Sequence, residues 1–291
     1  MTLMKQFLAL IAALLLITTT GNAQRTIGGD RFQLNSFGSY LGLNMDYHRD
    51  MSIDWMKSHT VDPAVIVIDE STPNMHNYAE VTGVMLGMSI GLTPKSKKSN
   101  EYNLDQELIV SANVITGREA LVTYDNYNET TGAFMRHSTM FCLMDNELNL
   151  DMHYQVTHNW SIFKFNAGAG ASLGSTFACK MLVMRNSYMD WNQEDWGDLN
   201  NESLRNTEVS STEIHDGVCS MFARAYATAG IGFLIGGHVE LGTQMRFGAG
   251  AEYMPNSQSN SGILTGAFLT QVRYHIPKLN KKGPAPIDYV D

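Results

Sequence analysis

Apolar and polar positions alternate along eight segments of the chain. In an extended strand successive side chains point to opposite faces, so a period of two marks a strand lying between unlike environments. The segments run over 37–48, 80–93, 103–115, 147–157, 161–176, 221–235, 239–253 and 263–276. The fourth is the most regular: Leu148, Leu150, Met152, Tyr154 and Val156 share one face, and Asn149, Asp151, His153 and Gln155 share the other. In the first, Leu41, Leu43, Met45 and Tyr47 oppose Gly42, Asn44, Asp46 and His48. Gln106 and Ile109 break the rule in the third. Strands of globular proteins usually have about 5–6 residues, whereas a strand that crosses a bilayer at a tilt needs about 9–11. Length therefore favours membrane-crossing strands over a soluble sandwich.

The links carry a second signal. Long connections (49–79, 116–146 and 177–220) alternate with short ones (94–102, 158–160 and 236–238), and only the last outer link, 254–262, is brief. Outer-membrane barrels sort short turns to the periplasm and longer loops to the outside. The reading is an all-β, antiparallel, up-and-down transmembrane barrel of about 8 strands, with both termini on the periplasmic side. Segments such as 64–69 and 120–124 are candidates to extend strands above the membrane.

The first residues change the compartment. Lys5, an apolar run over 7–18 and the small residues Gly21 and Ala23 form a secretory leader, cut after Ala23. The expected division is a signal peptide 1–23, a barrel 24–276 and a periplasmic tail 277–291; an uncleaved helical anchor is the alternative. No later apolar run reaches the ~18 residues of a spanning helix. The chain carries 20 basic and 29 acidic residues, a net charge of −9, so its field does not favour nucleic acid. The basic run Lys95, Lys97 and Lys98 reads as a solvated turn.

The segments YQVTHNWSIFKFNAGAGASLGS and AYATAGIGFLIGGHVELGTQMRFGAGAEY resemble the small outer-membrane barrels of Bacteroidota, with the eight-stranded OmpA/OmpX-type architecture. The resemblance spans about 37–276 and implies fold and outer-membrane location, with outer-membrane lipid as a partner. Tyr274-His275-Ile276 keeps an aromatic-x-apolar ending, but Gln271 stands where such barrels often have glycine in the last strand.

The inward polar residues include Glu107, Asp151, Lys164, Arg224, Glu240, Arg246 and Arg273. An eight-stranded barrel is only wide enough for side chains to fill it, and buried charges must pair. These residues are expected to form an internal ionic plug rather than a gated pore or proton path. Cys179 and Cys219 flank the longest link, next to strands that pair, and a disulfide is expected between them, with Cys142 left over or competing. The same link holds Tyr188, Asp190, Trp191 and Trp196 among further acids. It is a candidate surface for a protein partner, a glycan or Ca²⁺, against the plainer reading of a solvated loop. Gly197 falls too late for an EF-hand.

No cofactor or metal is expected, since no clustered Cys/His set occurs. The candidate catalytic pieces are Asp46 with His48, His137 with Ser138, and Asp151 with His153, none with a recognisable nucleophile, base and orienter. The expected role is non-enzymatic: a structural, adhesive or partner-binding barrel, or an accessory to an envelope or secretion machine. The alternatives are a lipid- or peptide-modifying barrel enzyme and a soluble lipocalin-like carrier with its faces reversed.

Overall fold

The computed structural model describes residues 26–27, 32–49, 51–67, 74–94, 104–130, 133–191 and 209–276. The expected leader and tail lie outside them. The strands are β1 (Thr26–Ile27), β2 (Phe32–His48), β3 (Asn74–Pro94), β4 (Leu104–Thr130), β5 (Ala133–Trp160), β6 (Phe163–Trp191), β7 (Val209–Asp216), β8 (Met221–Ile235), β9 (Val239–Met254) and β10 (Ser259–His275). Every pairing is antiparallel. Apart from β7, neighbours in sequence are neighbours in the sheet, and β2 pairs with both β3 and β10, which closes an up-and-down barrel. β1 adds to β2, and β7 adds to β6 above the point where β8 leaves it.

The alternation seen in the sequence sorts the two faces. Leu41, Leu43, Leu148, Leu150, Met152, Phe163, Leu173, Phe247 and Leu264 are exposed on the outside, while Asn44, Asp46, Glu107, Asp151, Arg224 and Arg246 are buried inside. Glycines make room for large inward groups at two points of close approach. A Cβ at Gly87 would meet the Tyr40 ring, and one at Gly91 would meet the Glu107 carboxylate.

The expected loops over 116–146 and 177–220 need correction. Most of the first is strand, because β4 and β5 run on as a hairpin, and much of the second is β6 and β7. The cause is a change of phase. The β4–β5 register shifts between Ile115 and Arg118, where Gly117 has φ 66°, and β6 takes a similar step at Ala178, φ 54°. Below these bulges the odd residues Ser111, Asn113 and Ile115 of β4 are buried; above them the even residues Arg118, Ala120 and Val122 are. One extra residue moves every later side chain to the other face, so a fixed-phase reading stops there. In the extension the inner face is apolar: Val122, Phe141, Leu143, Met181 and Val183 are buried.

Residues 51–67 cover that apolar face. The helix α1 (Ile53–Ser58) starts at Ser52, whose side chain accepts from Trp55 N. A 3-10 turn follows over Pro63–Val65, capped by Asp62; the expected strand extension at 64–69 is therefore not formed over 64–67. Six residues of helix are too few to be stable alone. Met51, Trp55 and Met56 hold it by burying their side chains against the extension, each worth on the order of 1.5–3 kcal/mol.

Candidate functional site

The alternating strands aim a column of polar side chains into the barrel, arranged in tiers. At the short-turn end, Arg273 pairs with Glu107 and donates to Ser36 (2.9 Å), while Asn35 and Ser36 donate to the same carboxylate at 3.1 and 2.6 Å. Beside them Glu240 accepts from Lys164 at 3.0 Å and lies 2.7 Å from His275. A cavity of about 300 Å³ opens at this end, lined in part by Asn35, Lys164, His238, Glu240, Arg273 and His275.

The middle tier centres on Asp151. It accepts from Arg246 (2.9 Å), Ser111 (3.2 Å) and the Tyr226 hydroxyl, and lies 3.2 Å from His153 Nδ1. The Arg246 guanidinium also rests over the rings of Tyr226 and Tyr40, 5.0 and 5.4 Å from their centroids. Such stacking shields a buried cation as well as attracting it.

In the upper tier Arg224 bonds both oxygens of Glu147 and donates to Asp46 at 2.7 Å. Arg118 pairs with Glu147 and lies 3.2 Å from Asp145 and 3.6 Å from Asp46. The Phe222 ring sits 4.7 Å from the Arg118 guanidinium carbon and 4.4 Å from that of Arg224. Between this tier and the middle one the free space is about 20 Å³, roughly one water molecule.

The lid closes over the top. Trp55 Nε1 donates to Glu252 at 3.3 Å, His59 Nε2 lies 3.1 Å from the same carboxylate and His48 Nδ1 3.4 Å from it. All four side chains are buried. The Trp55 ring packs against both imidazoles, with centroids 5.1 Å from His48 and 3.8 Å from His59. Backbone bonds add to this latch: Val218 N donates to His59 O at 2.8 Å and Val61 N to Asp216 O at 3.1 Å.

The seven polar residues read from the sequence thus occupy all three tiers. The sequence reading missed Arg118, which lies past the bulge, and Glu147, Tyr40 and Tyr226, whose roles depend on which strands meet across the lumen. It also missed Trp55 and His59, in a stretch with no strand periodicity. The Cys179 and Cys219 sulfurs stand 3.5 Å apart as thiols, a contact rather than the bond of about 2.05 Å. Cys142 is a buried thiol on the extension. Tyr188, Asp190 and Trp191 fall on the last residues of β6; Trp196 lies outside the described residues. Of the candidate catalytic pieces, Asp151 and His153 are bonded deep in the plug, Asp46 and His48 are buried at its top, and the His137–Ser138 pair sits on the extension well above both. Among the described residues no group of three His, Cys, Asp or Glu side chains is disposed to hold a metal ion.

No family model matches the chain, and no match was found among curated proteins. Solved structures with a similar course of the chain include Neisserial surface protein A, 11% identical, covering 82% of this chain and 97% of that one with a TM-score of 0.32. The outer membrane protein OprG from Pseudomonas aeruginosa is 10% identical over 84% of this chain and 97% of its own, TM-score 0.33. Ail, the attachment invasion locus protein of Yersinia pestis, is 8% identical over 83% and 99%, TM-score 0.26.

Proposed function

We propose that this protein spans the outer membrane as a sealed barrel and acts through the part that stands above it, as a structural, adhesive or partner-binding surface protein. One observation carries the reading: exposed leucines and aromatics wrap the outside of a barrel whose inside is ionic. A soluble barrel would place these faces the other way round. The outer apolar residues fall within segments over 37–47, 82–92, 106–116, 148–158, 163–173, 223–233, 241–251 and 264–274, of the length a tilted strand requires. The charges inside are paired with one another across the lumen, which supports a plug over a pore.

On this placement the extension of β3–β7 and its lid face outward, together with the end of β6 at Tyr188, Asp190 and Trp191. These are the surfaces offered to a protein or glycan partner, and no catalytic step is assigned to them. The test compares cells bearing the intact protein with cells bearing a variant that lacks residues 192–208, for binding to glycan arrays and host-cell surfaces. Binding that is lost while the barrel remains folded supports the reading. Binding by neither form, with ion conductance from the intact barrel in planar bilayers, would replace it with a pore.

A further inference from the structure

The cavity at the short-turn end of the barrel has a volume of about 300 Å³, at the lower end of small-molecule sites, which run from about 300 to 1,000 Å³. Its lining is uneven in hydrogen-bonding capacity. The donors are Arg273, Lys164, His275 and His238; the acids are Glu107, Glu240 and Asp105.

The acids are already engaged. Both oxygens of Glu107 are taken, Oε1 by Asn35 and Ser36 and Oε2 by Arg273. Glu240 Oε2 accepts from Lys164 at 3.0 Å and lies 2.7 Å from His275 Nε2, so one oxygen serves two donors. Asp105, at the exposed rim, accepts from Asn159 at 2.8 Å.

The donors are not exhausted. Among the described residues the Arg273 guanidinium donates through Nη2 alone, to Ser36 and Glu107, although it carries N–H groups on Nε and Nη1 as well. The Lys164 ammonium has three N–H bonds. One goes to Glu240, and the remaining neighbour is His275 Nε2 at 3.0 Å. That nitrogen cannot accept from Lys164 while it donates to Glu240. Arg273 is buried, and Lys164 keeps only 13% of its side chain exposed. Donors so withdrawn from water bond an anion more strongly than donors on an open surface.

We propose that this cavity binds a small solute bearing a carboxylate or phosphate group, held by Arg273 and Lys164 with the imidazoles of His275 and His238 beside it. A guanidinium fork and an ammonium are the side chains that suit such oxyanions. Glu240 competes with the solute for Lys164 and sets how tightly it is held. The inference needs only the cavity and its side chains, not the membrane placement.

The test is nuclear magnetic resonance of the full-length protein in detergent micelles, with the histidine rings labelled. Inorganic phosphate, succinate and putrescine are titrated separately at fixed pH and ionic strength. Phosphate, succinate or both should move the His238 and His275 signals saturably and leave His59 and His153 in place. Saturation by phosphate alone assigns a phosphate ligand, by succinate alone a carboxylate, and by both the shared oxyanion chemistry. K164Q removes a charged donor and should weaken binding about 10-fold or more. E240Q removes the competing carboxylate and should tighten it. These opposite signs separate a binding role from mere damage to the fold, which the mobility of unboiled samples also checks. The proposal is overturned if neither anion saturates, if putrescine binds instead, or if the two variants change affinity in the same direction.

Discussion

Arg224 is the most connected cation of the plug, and replacing it by methionine tests whether the barrel interior is a solid ionic core. Methionine keeps most of the volume and supplies no donor. The change removes both bonds to Glu147 and the 2.7 Å bond to Asp46, leaving two carboxylates that are fully out of solvent to share Arg118. Breaking a buried pair by removing one partner typically loses about 3–5 kcal/mol, because the remaining charge stays buried and uncompensated. R224M should therefore unfold at lower urea in micelles or bilayers by an amount equivalent to about 3–5 kcal/mol. E147Q alone should also destabilise, and the double variant should lose less than the sum of the two by about 1–3 kcal/mol, since the groups act on each other directly. Tryptophan fluorescence and the mobility of unboiled samples report the same transition. A loss below about 1 kcal/mol, or strictly additive losses, would refute the reasoning: it would mean that water solvates these groups and the interior is an open channel.

Further tests follow from the same framework. G91A would push a methyl group into the Glu107 carboxylate and the Ser36 hydroxyl; urea titration should show a loss of about 1–3 kcal/mol. Leu150, 67% exposed on the outer face, faces lipid in this account, so L150R should cost about 2–4 kcal/mol in bilayers, while V61R, at an equally open position on the lid side, should stay within about 0.5 kcal/mol of the parent. Peptide mapping of protein purified from the envelope without reductant should recover Cys179 linked to Cys219, a bridge worth about 3–4 kcal/mol in the chain-entropy model; two separately alkylated cysteines would rule it out. Burial, with Glu119 nearby, pushes the Cys142 thiol up to about 11, so in the folded protein it should resist iodoacetamide at pH 8 and react only after unfolding.

The ring was legible because an apolar outer face and an ionic interior impose opposite demands on alternate residues. Leu148 to Val156 could be read by eye, and β8 and β9 begin where the alternation does. The extension was not, for a local reason. At Gly117 and Ala178 an added residue reverses the faces, and the inner face turns from ionic to apolar at the same height. Two changes at once look like the end of a strand. The seven inward charges were visible as a set, but their partners lie on strands distant in sequence: Arg246 finds Asp151, and Arg224 finds both Asp46 and Glu147. Pairing across a closed lumen depends on strand order and tilt, which periodicity does not carry. The lid was invisible for a third reason. One and a half turns of helix have no period to detect, and Trp55 and His59 acquire meaning only from Glu252, which lies almost the length of the barrel away in sequence.

The most direct test of the central claim is fractionation of cells producing the untagged protein, with the membrane fraction run on an SDS gel before and after boiling. The account predicts recovery in the outer membrane and faster migration of the unboiled form, as a compact barrel that detergent does not unfold. Recovery in the soluble periplasm, with the same mobility boiled or unboiled, would contradict it.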